Sequence, residues 1–137
     1  MQEGKSVGAI IKDSSGRYLV QYRLKPPIGL ALPAGHIDEG ESPLVCIRRE
    51  VFEETGLAVK YSNQIFHRTL PTGCYKGHDS HEWWVYDVEA EGEPRLMEPD
   101  KHRFVRFMPI EEMRPYIERG EVDPAWFKYI LPALGII

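Results

Sequence analysis

The chain has 137 residues, enough for one domain with a real core (1–137) and too few for two. With 42% hydrophobic and 28% charged residues it reads as a globular protein that folds in water, and no apolar run nears the ~20 residues of a membrane span. A net charge of −4 excludes broad nucleic-acid binding, which needs a basic surface, yet allows a phosphate ligand whose charge a bound cation meets.

The opening MQEGKSVG lacks the charged and apolar regions of a signal peptide, which predicts a cytoplasmic protein. Two cysteines, Cys46 and Cys74, are too few for a disulfide scaffold and are expected as thiols. Residues 7–11 are small and β-branched, residues 12–16 (KDSSG) form a turn, and residues 18–23 alternate again, which predicts a β-hairpin. Arg23 and Lys25 follow its second strand, where basic side chains reach a phosphate or simply face solvent. Residues 26–29 (PPIG) are a loop, and residues 30–33 a short extended segment.

Residues 35–57, GHIDEGESPLVCIRREVFEETGL, put a glycine loop before a short acidic helix. Ser42 suits the N-cap because its hydroxyl accepts from an orphan N–H, and Pro43 suits the first helical position, which needs no donor. Gly56 suits the left-handed residue that closes many helices. Leu44, Ile47, Val51 and Thr55 fall on one stripe and are expected in the core, while Glu50, Glu53 and Glu54 fall on another. Like charges at this spacing repel by ~0.2–0.5 kcal/mol per pair, and the negative end of the helix dipole adds to the penalty. A hard divalent cation, Mg²⁺ above all, reverses both, since it prefers oxygen ligands. An acidic helix face standing alone is more often merely solvated.

The whole pattern decides between these. Gly35, Glu41 and the run Arg49-Glu50-Val51-Phe52-Glu53-Glu54-Thr55-Gly56-Leu57 resemble the Nudix box with every defining position filled. The resemblance implies an α/β fold, an α/β/α sandwich with a mixed β-sheet between helices. It also implies a hydrolase of nucleoside diphosphates linked to another group, with Mg²⁺ as cofactor and Mn²⁺ as a substitute. On that basis Glu53 and Glu54 bind metal, Glu50 is ligand or base, and Gly35 offers its carbonyl oxygen. Arg49, one turn from Glu53, has a fixed fork of donors suited to orienting Glu53 and reaching Glu41.

Residues 59–70 have strand character, with Ile65 and Phe66 as expected core. The following loop carries Tyr75 among aromatic and basic residues that suit a substrate rim. His78 and His81 are close in sequence, but without further ligands beside them they do not predict zinc. Residues 82–88 form the clearest strand, whose alternation sends Trp83 and Trp84 to opposite faces; one packs in the core, and the other is a candidate for stacking on a nucleobase. Residues 89–99 connect to a strand over 104–108, and there Glu98, with Asp100 behind it, resembles a further metal ligand or base of small Nudix enzymes. Residues 110–119 predict a helix, and Asp123-Pro124 caps a last one bearing Trp126, Phe127 and Ile130.

The implied mechanism is metal-assisted hydrolysis of a phosphoanhydride, with Glu50 or Glu98 taking a proton from water. The partner is a small nucleotide; the sequence leaves a homodimer open. Downstream of the box, a proline is a family mark of ADP-ribose enzymes and a tyrosine slightly further on of dinucleoside polyphosphate enzymes; Pro71 and Tyr75 stand near these two places and compete. The short chain favours a MutT-like nucleoside triphosphate pyrophosphohydrolase. Nucleotide-sugar hydrolysis, a silent nucleotide sensor and an acidic interaction domain are the rivals.

Overall fold

The computed structural model describes residues 3–73, 77 and 79–137. The elements run β1 (Glu3–Ile11), β2 (Tyr18–Arg23), β3 (Gly29–Ala31), β4 (Ala34–His36), α1 (Pro43–Thr55), β5 (Ala58–Leu70), β6 (Ser80–Glu91), β7 (His102–Met108) and α2 (Ile110–Glu118). A π-helical segment, Ala125–Ile130, then leads into α3 (Leu131–Ala133). Pro132 cannot donate a backbone bond to the preceding turn, which accounts for a helix that departs from α geometry there.

Four strands form a mixed sheet in the order β4-β1-β6-β5, and three form an antiparallel sheet in the order β3-β2-β7. β1 and β6 run parallel, a pairing that requires a long crossover, here containing α1 and β5. The mixed sheet is covered on both faces, as its apolar strands require. Val7, Ala9 and Ile11 of β1 and Tyr86 and Val88 of β6 join Cys46, Ile47 and Val51 of α1 in one core. The alternate residues Ile10, Trp83 and Val85 join Trp126, Phe127 and Ile130 of the last helical segment in a second core. Gly8 makes the second contact possible, because a Cβ there would lie 2.5 Å from Trp126 Cζ2. The layering is the expected α/β/α sandwich, with the three-stranded sheet beside it.

Three local expectations change. β1 and β2 do not form a hairpin: only an isolated bridge, Lys12 to Tyr18, links them before they enter different sheets. Local alternation identifies two strands but not whether they pair. Leu44 is 48% exposed, and Cys46 takes its place against the sheet. In β5 only Phe66 of the Ile65-Phe66 pair is buried, as strand alternation demands.

Candidate active site

The ends of α1 are set as its sequence implies. Ser42 Oγ accepts from the Val45 N–H at 3.2 Å, and Gly56 closes the helix at φ 76°. α1 thereby directs Arg49, Glu50, Glu53 and Glu54 into a cleft of about 360 Å³. Gly35 and His36 of β4, Glu98 before β7, and the basic residues Arg23, Lys25 and Lys101 line the same cleft.

Arg49 is the hub of the outer part. Its Nε and Nη2 donate to the two carboxylate oxygens of Glu41 at 2.7 and 2.9 Å, while Nη1 donates to Glu53 at 2.7 Å and Glu50 at 2.8 Å. Nη2 also donates to the His36 carbonyl at 3.2 Å, tying the helix to the glycine loop. The guanidinium holds Glu41 well below the usual carboxylate range, at about 2. Glu50 behaves differently: burial, opposed by Arg49 and reinforced by Glu53, pushes its pKa up to about 7. Its carboxyl group occupies the space beside Gly35, where an added Cβ would lie 2.0 Å from Glu50 Cδ.

Glu54 sits deeper, only 7% exposed, between the two sheets. Its Oε1 accepts from the Ala34 N–H at 3.0 Å and from the Gln21 amide at 3.3 Å. His102 Nε2 faces Oε2 at 4.0 Å. Burial first, then Arg23 and Lys101, lowers the His102 pKa to about 4, so the imidazole is neutral near pH 7 and this approach is not an ion pair. Burial, with Glu50 and Glu98 nearby, raises the Glu54 pKa well above its ordinary value. Glu54 is therefore not part of a solvated acidic face, and the sequence stripe misses this because it shows only the helix and not what packs on it.

Glu98 accepts from Lys101 Nζ at 3.2 Å, and its carbonyl takes the N–H groups of Lys101 and His102 at 2.9 and 3.0 Å. Asp100 is not part of the lining. Arg23 donates from Nε to the Pro27 carbonyl at 3.0 Å and from Nη2 to the Pro26 carbonyl at 3.2 Å, which fixes its stem at the mouth. Trp83 reaches the cleft from below but is buried, edge-on to Trp126 with ring centroids 5.6 Å apart. Trp84 points to the other face of β6, stacks on His67 at 4.7 Å and does not line the cleft. Tyr75, His78 and Cys74 lie outside the described residues; Cys46 is a buried free thiol.

Several lining residues had no signal in the sequence. His81 is buried, and its Nδ1 lies 2.6 Å from the Thr72 carbonyl, which can only accept. The proton is thus on Nδ1 and the Nε2 facing His36 Nε2 at 3.3 Å is the acceptor in the neutral ring. Asp123 caps the last helical segment through a 3.0 Å bond from the Ala125 N–H and borders the cleft as well. Nothing but the fold brings these residues to Glu54 and Glu50.

The donor set suits a hard divalent cation. Six carboxylates, those of Asp38, Glu50, Glu53, Glu54, Glu98 and Asp123, line the cleft beside three imidazoles, so oxygen donors predominate among the described lining residues, and Glu50 and Glu54 are raised in part by their acidic neighbours. Among the described residues no three ligating groups are already drawn together, and Arg49 holds Glu50 and Glu53. Ligation through the oxygens that Arg49 holds would exchange the guanidinium for the ion.

Comparison with known proteins places the fold. A stretch of 53 residues, 39% of the chain, is 42% identical to Nudix hydrolase 26, chloroplastic, of Arabidopsis thaliana and spans 24% of that protein. Among solved structures, the MutT NUDIX hydrolase of Burkholderia pseudomallei superposes with a TM-score of 0.71 at 27% identity, covering 81% of this chain and 86% of that one. A NUDIX hydrolase of Nitrosomonas europaea gives 0.68 at 23% identity over 83% of this chain and 77% of its own, a likeness of fold. Nudix hydrolases generally use divalent metal ions. No helix among the described residues is long and apolar enough to cross a membrane. The NUDIX domain profile matches residues 3–129, nearly the whole sequence and all of the cleft-lining elements, and the chain belongs to the Nudix family.

Proposed function

We propose that this chain is a Mg²⁺-dependent hydrolase of the phosphoanhydride bond in a nucleoside diphosphate linked to another group, acting on nucleoside triphosphates with release of pyrophosphate. One observation carries the reading: Glu50, Glu53, Glu54 and Glu98 share one cleft with Arg23, Lys25 and Lys101. Its volume of about 360 Å³ lies within the range of small-molecule sites. The basic residues match a polyphosphate chain, and the carboxylates match the cation that accompanies one.

Glu53, Glu54, Glu50, Glu98 and the Gly35 carbonyl are the groups that would hold the ion, which supplies positive charge against the diphosphate and its developing negative charge. Arg23 and Lys101 hold the phosphates and keep the chain of phosphorus atoms in register with the carboxylates. Glu50, whose carboxyl group lies beside Gly35 in the cleft, takes a proton from water. The water oxygen bonds to one of the two phosphorus atoms of the α–β anhydride, that phosphorus loses its bond to the bridging oxygen, and the bridging oxygen leaves on the other fragment, giving a nucleoside monophosphate and pyrophosphate. Arg49 touches no reacting atom; it sets the angle of Glu50 and Glu53.

The test is incubation with Mg²⁺ and a panel of nucleoside triphosphates, nucleotide sugars, ADP-ribose and dinucleoside polyphosphates, following phosphate and pyrophosphate release. Mg²⁺-dependent turnover of a nucleoside triphosphate, abolished in Glu53→Gln and in Glu54→Gln, supports the reading. Unchanged turnover in both variants refutes the site, and turnover confined to another class moves the substrate assignment to it.

A further inference from the structure

Two buried side chains beside Glu54 have no part in the chemistry above. Gln21 of β2 and His102 of β7 are 1% and 3% exposed, and both come from the three-stranded sheet, whereas α1 packs on the mixed one. Gln21 donates its amide to Glu54 Oε1 at 3.3 Å, and His102 directs Nε2 toward Oε2 at 4.0 Å.

Each leaves an atom stranded in doing so. Gln21 Oε1 and His102 Nδ1 are buried without a hydrogen-bond partner. An unmade bond in the interior is destabilising, and an apolar residue of similar shape would fill either position and orphan nothing. Packing alone therefore gives no reason for an amide and an imidazole here. The backbone is irregular at the same place: between Gln21 and Arg23 of β2 the partners on β7 pass from Val105 to His102, a slip in the ladder. Bulges of this kind re-aim side chains, here at the carboxylate end of Glu54.

We infer that Gln21 and His102 are positioning residues that hold Glu54 in one orientation for a divalent cation, despite the stability they cost. The inference rests on the metal reading of this cleft. The Gln21 amide holds Oε1 from β2 as the Ala34 N–H does from β4, and the His102 imidazole stands beside Oε2 on the β7 side, so three neighbouring elements converge on one side chain.

The test uses the full chain, Mn²⁺ as probe through loss of its free paramagnetic resonance signal, thermal unfolding without metal, and steady-state kinetics. The variants are Gln21→Met and His102→Phe, with His102→Gln as the form that keeps an N–H donor. We expect Gln21→Met and His102→Phe to unfold at the wild-type temperature or above it while binding Mn²⁺ ~10-fold or more weakly, with kcat lowered and KM little changed. His102→Gln restores most of the Mn²⁺ affinity. Wild-type Mn²⁺ affinity in both apolar variants overturns the inference, and so does a melting temperature that falls in either, or a failure to fold, since that is what a purely structural role predicts. Absence of Mn²⁺ binding to the wild-type chain instead overturns the metal reading itself.

Discussion

Glu53 and Glu54 are neighbours on one helix, yet the fold holds them by opposite means. Glu53 is 46% exposed and tied to a guanidinium that Glu41 and Glu50 share. Glu54 is buried and accepts from neutral donors, a backbone N–H and an amide, with an uncharged imidazole 4.0 Å away. A charged clamp in contact with water can trade one partner for another, because solvent screens the change. A buried carboxylate cannot move cheaply, so neutral donors fix its place without cancelling the charge a cation needs. The comparison suggests a site with one rigid ligand and one adjustable side.

Among variants that keep both carboxylates, the largest expected effect is at the glycine loop beside them. Gly35→Ala puts a Cβ 2.0 Å from Glu50 Cδ, so Glu50 has to leave its place between Arg49 and the loop. A displacement of this size is expected to lower kcat/KM by ~100-fold, with the fold retained by circular dichroism. Next comes the clamp: Arg49→Lys keeps the charge and loses the fork that grips Glu41 with two bonds while holding Glu50 and Glu53. A fall in kcat of ~10-fold with KM little changed is expected in steady-state assays.

The pH dependence sharpens the contrast further. Arg49 lowers the folded-state pKa of Glu41 from 4.5 to about 2, so the unfolded chain binds more protons in that window. The stability Glu41 contributes is complete above pH 4.5 and disappears as pH falls toward 2. Wild-type protein should therefore melt above Glu41→Gln at neutral pH, and the gap should close through that range in thermal scans. The smallest effect is at Trp84, which stacks on His67 away from the cleft. Loss of a base-stacking residue would weaken substrate by ~1–3 kcal/mol, whereas Trp84→Ala is expected to leave KM unchanged.

What the sequence revealed follows from how local each signal is. The caps Ser42 and Gly56 and the strand over Trp83 and Trp84 depend on neighbours in the chain, and the structure places them as expected. The burial of Glu54 depends on Gln21, 33 residues away, so a helical wheel has no means of separating it from Glu53. His81, Asp123 and His102 reach the cleft for the same reason, through sheet pairing and the last helical segment. Leu44 misled because period alone cannot tell which edge of an apolar stripe meets the sheet.

The most direct measurement is a crystal structure grown with Mg²⁺ and a non-hydrolysable nucleoside triphosphate. The account predicts an ion at ~2.0–2.1 Å from carboxylate oxygens of Glu53 and Glu54, against the phosphates, with Glu54 unmoved and Arg49 shifted from Glu53. A nucleotide bound with its ion elsewhere, and Glu53 still on Arg49, would contradict it.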